Sequence, residues 1–310
     1  MIIIRKKEVA RIDRLSYLCR PEDAGLEVLS LLRREFHLSA NLLRQLKTSE
    51  TGILLDGVRV TVRQRVAAGQ ELSILREPDS GKMRRVPPAA GPLDIVYEDG
   101  DLLILNKPAG LAVHPSPGHR DGDTLGNRVV WYLSQTGQSP TFRAINRLDR
   151  GTSGLMTCAK NKLTAQRLED QLAAGDIRRV YHAVAEGVGL PAEGVVDLPI
   201  GRAEGCGIRR CVRDDGQRAV TRFRVLREQN GRTLLELRLE TGRTHQIRCH
   251  MSYLGFPLCG DFMYGREIAG MTGFALHSCA LSLIQPSSGE ALSFTVPDPE
   301  IFACLLGGAL

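Results

Sequence analysis

The spacing of apolar and polar residues predicts two short helices and a small sheet near the start of the chain. Apolar residues recur at helical spacing over 24–36, which indicates an amphipathic helix. Ser39 is a typical N-cap for a second helix. Residues 53–60 have the pattern of a β-hairpin that turns at Asp56-Gly57, and residues 70–75 have that of a further strand.

Beyond a proline-rich segment, strand-like and helical runs alternate along the chain. An Asp99-Gly100 pair favours a hairpin of 93–97 with 102–106. The pattern also predicts helices over 124–133 and 163–172, and strands over 181–185, 218–226 and 233–239. We therefore predict a basic extension and module over 1–76, a linker over 77–92, a large domain over 93–300 and an apolar tail over 301–310.

Composition narrows the class of protein. The 310 residues suffice for two domains, and the 43% hydrophobic and 25% charged content is that of a soluble globular chain. No run of about 18 apolar residues predicts a membrane span, and the first residues lack the order of a signal peptide. The eight cysteines form no C-x-x-C pair, which disfavours structural zinc and fits a reducing compartment. We expect a cytoplasmic protein.

The formal charge of +6 is confined to one end of the chain. Residues 1–92 hold 17 Lys+Arg and 11 Asp+Glu, whereas residues 93–310 hold 24 of each. Arginine outnumbers lysine 34 to 7. Arginine offers a planar fork to phosphate and stacks on bases, so this bias suits RNA binding. A high-GC genome also enriches arginine, and the bias alone does not separate the two explanations.

The chemistry is concentrated in Asn146-Arg-Leu-Asp-Arg-Gly-Thr-Ser-Gly-Leu155, where Asp149 stands between Arg147 and Arg150. A carboxylate held between cations stays ionised at neutral pH, so it is a candidate nucleophile and a poor general acid. The ten residues closely resemble the catalytic motif of the RluA family of RNA pseudouridine synthases, H-R-L-D-x-x-T-S-G. Asn146 replaces the leading His of that motif, which bears on the hydrogen bonding behind the loop.

Further segments resemble motifs of the same family, in the family's order, over roughly 94–295. They are Asn106 to His119, Arg179 to Gly187, Leu198 to Arg202, Glu240 to His250 and Ala275 to His277. The resemblance implies an α+β pseudouridine synthase fold with a mixed, largely antiparallel central sheet. Residues 24–76 resemble a small RNA-binding module first seen in a small-subunit ribosomal protein (the S-four type), and a generic α+β cap is the alternative.

The family resemblance also implies roles for single residues. Asp149 is the carboxylate that triggers release of the base, and Arg248 is the cation that pairs with it. Tyr181 stacks on the uracil, with its hydroxyl placed to take the carbon proton late in the reaction. Arg147 fills the space that the flipped base leaves, and Leu276 packs on the other side of the base.

Other polar residues of the motifs are expected to support the site. Asn146, His245 and Gln246 are assigned to the loops around Asp149, without a part in proton transfer for Asn146. His114 and His119 lie in a Pro/Gly-rich loop, where turn-stabilising histidines are commoner than catalytic ones.

The implied reaction breaks a glycosidic bond, turns the base and reattaches it through carbon, so we expect no metal or other cofactor. The expected partner is RNA, with ribosomal RNA of the large subunit first and transfer RNA as the alternative, and we expect a monomer that binds no membrane. One competing function is a non-catalytic RNA-binding or ribosome-assembly protein on the same fold. Another is a glycoside hydrolase, which needs two acids flanking the bond, and the motifs supply no second acid.

Overall fold

The amino-terminal part of the chain forms a small four-stranded sheet with two helices. The computed structural model describes residues 14–77, 86–115, 123–136, 138, 141–205 and 207–307. The sheet has the strand order β1-β4-β2-β3, and all its pairs are antiparallel. Its elements are β1 (Arg14–Leu18), α1 (Val28–Arg34), α2 (Ala40–Thr48), β2 (Ile53–Leu55), β3 (Val58–Arg59) and β4 (Glu71–Leu75).

This part follows the sequence pattern closely, with one helix shorter than predicted. The Ser39 hydroxyl accepts a hydrogen bond from the backbone N–H of Leu42 and caps α2, and the hairpin of β2 with β3 turns at Asp56-Gly57. The helix predicted over 24–36 extends only from 28 to 34. Gly25 has φ +82° and His37 has φ +52°, so left-handed backbone flanks the helix on both sides.

The rest of the chain is built on a ten-stranded sheet with the order β10-β13-β14-β9-β15-β8-β6-β5, to which β7 and β16 add at β8 and β15. Its strands are β5 (Ile95–Glu98), β6 (Leu102–Lys107), β7 (Arg143–Ala144), β8 (Ser153–Ala159), β9 (Arg178–Glu186), β10 (Glu193–Asp197), β13 (Val220–Gln229), β14 (Arg232–Leu239), β15 (Leu276–Ile284) and β16 (Ala291–Thr295). A separate ribbon pairs β11 (Ile200–Arg202) with β12 (Arg210–Val212). The helices are α3 (Leu125–Gln135), α4 (Lys162–Ala174), α5 (Gln246–Tyr253) and α6 (Glu300–Leu305).

The large sheet is mixed but mostly antiparallel, as predicted for an α+β chain. Among its described strands, β8 and β15 form the parallel pair, and the neighbours on either side are antiparallel. Alternate residues of β6 belong to different cores: Leu103 and Leu105 pack with α3, whereas Leu102 and Ile104 pack with α4. The centre of the sheet is therefore buried on both faces, which gives the loops at its edges a rigid base.

The amino-terminal part packs against the beginning of α4. Leu163 on α4 belongs to the same hydrophobic cluster as α1 and α2. The Gln166 side chain accepts a hydrogen bond from the backbone N–H of Ser39 at 2.8 Å and donates one to the carbonyl of His37 at 2.5 Å. Arg76 makes an ion pair with Asp101, an aspartate that is 3% exposed.

Two predicted boundaries remain predictions. Residues 86–92 have no regular secondary structure, and residues 78–85 of the predicted linker lie outside the described part. In the predicted tail, α6 buries Phe302 and Leu305, while residues 308–310 lie outside the described part. The strand β1 lies within the predicted basic extension. The first 13 residues of that extension lie outside the described part of the chain.

Candidate active site

An open cleft of about 590 Å³ lies where the loop before β8 meets β9 and the loop after β14. The loop before β8 contributes the residues from Ile145 to Asp149, and β9 contributes Arg179 and Tyr181. The loop after β14 contributes the residues from Glu240 to Thr244. The structure therefore brings together three of the sequence motifs that are far apart along the chain.

The Asp149 loop is held tightly by backbone contacts. The Arg150 carbonyl accepts a hydrogen bond from the Gly110 N–H at 2.8 Å, and the Arg150 Nε donates one back to the Gly110 carbonyl at 2.8 Å. Gly154, at φ +106°, lies so close to the Ser278 backbone that a Cβ would overlap it. The glycine is therefore required where β8 meets β15, and this contact fixes the end of the loop.

Arg248 on α5 joins two carboxylates. Its Nη1 donates a hydrogen bond to Asp149 Oδ2 at 2.9 Å. Its Nε and Nη2 donate to the two oxygens of Asp261, at 2.7 and 2.9 Å. The guanidinium lies over the ring of Phe274, 4.1 Å from the centroid, and is buried. Burial alone would lower the pKa of Arg248, but the hydrogen bonds and charges of the two carboxylates raise it, so the arginine is a permanent cation.

Asp261 is fully buried and belongs to a tight turn after α5. Its Oδ1 also accepts hydrogen bonds from the backbone N–H groups of Met263 and Tyr264, at 3.1 and 3.2 Å. The Tyr264 hydroxyl lies 3.0 Å from His245 Nδ1, and His245 Nε2 lies 3.9 Å from Asp149 Oδ2. Arg248 and His245 therefore both approach Asp149 Oδ2, and Asp261 and Tyr264 connect them into one polar cluster.

Two further basic groups lie near Asp149, and burial disfavours the charge of each. Burial lowers the pKa of His245, an effect that the Asp149 charge opposes. Lys107, at the end of β6, is completely buried. Its Nζ donates to the carbonyls of Pro108, Leu111 and Arg150, at 2.8, 2.9 and 3.3 Å. Burial lowers the pKa of Lys107 to about 7, again opposed by the Asp149 charge.

Tyr181 and Leu276 lie together beside the carboxylate. A smaller cavity of about 60 Å³ is lined by both, together with Asp149 and Arg248. Tyr181 is 4% exposed and Leu276 is 5% exposed, so each presents only a small part of its surface to the cavity. Burial raises the pKa of Tyr181, which keeps its hydroxyl protonated at neutral pH.

Of the three residues expected to support the loops, Asn146 lines the cleft, and His245 and Gln246 line the smaller cavity. The Asn146 Oδ1 accepts a hydrogen bond from the backbone N–H of Thr157 at 2.8 Å, and its Nδ2 has no partner among the described residues. Gln246 makes four hydrogen bonds, to Thr241, Arg243, Val220 and Thr221. His245 precedes α5 in left-handed conformation, with φ +58°. Arg147 is exposed at the rim of the cleft.

Of the two histidines in the Pro/Gly-rich loop, the structure describes only His114. His114 lines the cleft, and its ring packs against Phe142 with centroids 5.0 Å apart. Burial lowers the pKa of His114. His119 lies outside the described part of the chain. Across the described residues, no group of three His, Cys, Asp or Glu side chains is arranged to hold a metal ion.

Sequence reasoning did not assign Asp261, Tyr264 or Lys107 to the site. Lys107 stands in the Asn106 to His119 motif, so its position was a usable signal. Asp261 and Tyr264 follow Gly260 in a segment outside the motifs that resemble the family. Their contacts with Arg248 and His245 depend on the folding of this turn against α5.

No helix among the described residues has the length and apolar character needed to cross a membrane.

The comparison with known proteins gives consistent results. A family model described as RNA pseudouridylate synthase matches residues 101–253. An uncharacterized RNA pseudouridine synthase of Bacillus subtilis, YjbO, is 39% identical over 274 residues, which are 88% of this chain and 96% of the relative. The ribosomal large subunit pseudouridine synthase D of Xanthomonas campestris is 37% identical over 263 residues, 80% of this chain and 78% of the relative.

A solved structure supports the same comparison. The structure of human RNA Pseudouridylate Synthase Domain Containing 1 superimposes with a TM-score of 0.56 and 27% identity, over 69% of this chain and 86% of the human one.

Proposed function

The chain belongs to the RNA pseudouridine synthase family and is an isomerase, and we propose that Asp149 is the nucleophile with which it converts uridine to pseudouridine in structured RNA. The observation that carries this proposal is the position of Asp149. It is the carboxylate of the cleft that Arg248 binds, and it lies beside Tyr181 and Leu276 in one small cavity.

The reaction needs an ionised carboxylate and a site that holds the planar uracil and excludes water. In the isomerisation the N1–C1′ bond of uridine breaks and a C5–C1′ bond forms, while C5 loses a proton and N1 gains one. Arg248 supplies a fixed positive charge beside Asp149 and orients the carboxylate by a hydrogen bond. Tyr181 offers a ring face on which uracil can stack, and it lines the same small cavity as Asp149.

Access to this small cavity requires the base to leave its stack in folded RNA. Extrusion of a base costs a few kcal/mol, and the cost is lower when a side chain occupies the vacated space. Arg147 is exposed at the rim of the cleft and is two residues from Asp149, so it is the side chain we assign to that space. Leu276 then packs against the base on the side away from Tyr181.

We assign the substrate to ribosomal RNA of the large subunit. The support is the name of several relatives, ribosomal large subunit pseudouridine synthase D, at 37–40% identity. A second support is the net charge of +6 on residues 1–92, which hold 17 Lys+Arg and 11 Asp+Glu. Phosphate contacts of such a module position a protein on a large RNA without reading its sequence. We further propose that the enzyme acts as a cytoplasmic monomer and that residues 24–76 are an RNA-binding module of the S-four type.

The decisive experiment measures tritium release from RNA labelled at C5 of uridine. The wild-type chain should release tritium, and Asp149→Asn should release none while its RNA affinity stays within a few fold. Asp170→Asn, a change of the same kind at an exposed aspartate on α4, is the matched control and should keep full activity. Wild-type turnover by Asp149→Asn would remove Asp149 as the nucleophile. Absence of release by the wild-type chain on ribosomal and transfer RNA would favour a non-catalytic RNA-binding protein.

A further inference from the structure

A second cavity, which we call the arginine cavity, continues from the catalytic cleft. It has a volume of about 360 Å³ and lies between the ribbon of β11 and β12 and the loop after β14. Arg243 and Thr244 line both the cleft and the arginine cavity, so the two spaces adjoin. The side chains that give it a positive character are Arg202, Arg210 and Arg243.

The ribbon places two of these arginines directly opposite each other. Arg202 on β11 and Arg210 on β12 are register partners in the antiparallel pair. Directly opposed residues project to the same face of a ribbon, and like charges in this arrangement are destabilising. A bound anion between them removes this repulsion, and two guanidinium forks suit the oxygens of a phosphate.

No carboxylate among the described residues forms an ion pair with the three arginines of the arginine cavity. Within the described ranges, the salt bridges involve other basic residues, and none joins a carboxylate to Arg202, Arg210 or Arg243. The acid that lines the cavity, Asp215, is engaged by Arg213 through both its oxygens. Arg243 is held at the wall of the cavity by a hydrogen bond from its Nε to the Arg218 carbonyl at 3.1 Å.

We propose that the arginine cavity binds a backbone phosphate of the RNA strand next to the nucleotide that enters the cleft. Because Arg243 and Thr244 line both spaces, a ligand in the arginine cavity adjoins the base beside Asp149. A backbone phosphodiester of the same RNA strand meets this requirement. The proposal rests on the proposed function for the identity of the strand, but it concerns binding and needs no turnover. The cavity thereby fixes the direction in which the strand leaves the cleft.

The test compares two double variants in an Asp149→Asn background, so that no RNA is converted during binding. Arg202→Gln with Arg210→Gln removes two charges from the arginine cavity. Arg224→Gln with Arg227→Gln removes two exposed charges from β13, at residues that line none of the cavities described above. The probe is an oligouridine single strand, titrated over a range of salt concentrations, with inorganic phosphate as a separate competitor.

The cavity variant should bind oligouridine about tenfold more weakly than the parent, and the slope of log affinity against log salt should fall by about 0.7 for each phosphate that is no longer bound. The control variant should stay within about twofold of the parent in affinity and keep its slope. In the free state the cavity variant should melt no lower than the parent, because its opposed charges are gone. In an otherwise wild-type chain it should raise KM and leave kcat within about twofold.

Equal losses of RNA affinity in the two double variants would show that the effect depends only on overall charge. This result would overturn the proposal. So would an unchanged salt slope in the cavity variant. Strong competition by inorganic phosphate, with no difference between the variants on oligouridine, would assign the cavity to free phosphate and also overturn it. These outcomes are separate from the proposed isomerisation, because a chain without tritium release could still show the difference between the variants.

Discussion

Asp261 holds Arg248 by two parallel hydrogen bonds, from Nε at 2.7 Å and from Nη2 at 2.9 Å, and so fixes the plane of the guanidinium that reaches Asp149. A fork bound to a carboxylate at two points has little rotational freedom. Asp261 is itself held by backbone N–H groups of its turn. We therefore propose that Asp261 is a positioning residue, which acts on the reaction through Arg248.

Asp261→Asn should lower kcat by about 10- to 100-fold, equivalent to about 1.4–2.7 kcal/mol in the barrier. The amide presents an N–H group to the guanidinium where the carboxylate accepted a hydrogen bond, so Arg248 loses its fixed orientation. KM for RNA should stay within a few fold. Steady-state tritium release on the folded fraction, quantified by circular dichroism, measures both constants.

Asp101→Asn is the matched control for this prediction, since Asp101 is also buried but pairs with Arg76 far from the cleft. It should lower the free energy of unfolding without changing kcat of the folded protein. If Asp261→Asn behaved in the same way as Asp101→Asn, the role of Asp261 would be limited to stability.

Asn146→His should be tolerated, with activity changed by less than about tenfold, because a neutral imidazole nitrogen can also accept the hydrogen bond from Thr157 N–H. Asn146→Ala leaves that buried N–H unpaired, and it should lower the free energy of unfolding by about 1–3 kcal/mol. Urea unfolding measures the second effect. A new titration near pH 6.5 in the pH–rate profile of Asn146→His, with a large rate change across it, would show that this position takes part in proton transfer.

Lys107 should make stability rise with pH just above neutrality. Its pKa is about 7 in the folded chain against 10.5 for a free lysine, so the unfolded chain binds more protons between these values. The penalty for burying Lys107 is complete below pH 7 and disappears as the pH approaches 10.5. From pH 7 to about 8.5, the free energy of unfolding of the wild-type chain should rise relative to Lys107→Met by on the order of 1–2 kcal/mol.

Urea unfolding of both proteins across this interval gives the difference directly. Taking the difference is necessary because burial raises the pKa of Cys249 to about 11, and such thiols lower stability as the pH rises. Parallel curves for the two proteins would show that Lys107 keeps its proton, held by its three carbonyl acceptors.

Deletion of residues 1–75 should weaken binding to long RNA more than it affects chemistry on a short saturating substrate. The truncated chain keeps Arg76 and its ion pair with Asp101 but exposes Leu163, so Leu163→Gln is included to maintain solubility. The salt slope of binding should fall by roughly one for each phosphate that the module neutralises in the full chain. Filter binding over a salt series measures this, and unchanged affinity with an unchanged slope would contradict an RNA-binding role of the module.

Local patterns were sufficient for many elements. Asp56-Gly57 and Asp99-Gly100 predicted hairpins that the structure contains, because the turn and the flanking alternation are encoded within ten residues. The site was partly predictable for a different reason: the resemblance of whole motifs singled out Asp149, Tyr181 and Arg248, which geometry then places together. The spacing of these residues along the chain does not predict that they come into contact.

What the sequence did not predict depends on long-range packing. The second carboxylate on Arg248 is 13 residues away along the chain, beyond the end of α5, and only the turn of Asp261 brings it back. The opposed arginines of the ribbon depend on the register of β11 with β12, which the pattern of so short a pair leaves undetermined. Left-handed backbone at Gly25 and His37 flanks α1, so the helix is shorter than its apolar periodicity predicts.

The junction of β8 with β15 also has a consequence for how the cleft assembles during synthesis. Ser153 pairs there with His277, 124 residues later, and the Asp149 loop ends at this junction. Contacts of such sequence separation form late, since the whole intervening loop must close first. We therefore expect that a nascent chain whose residues 276–278 are still inside the ribosome has no assembled cleft. Fragments that stop before β15 should be inactive, however well their earlier strands fold.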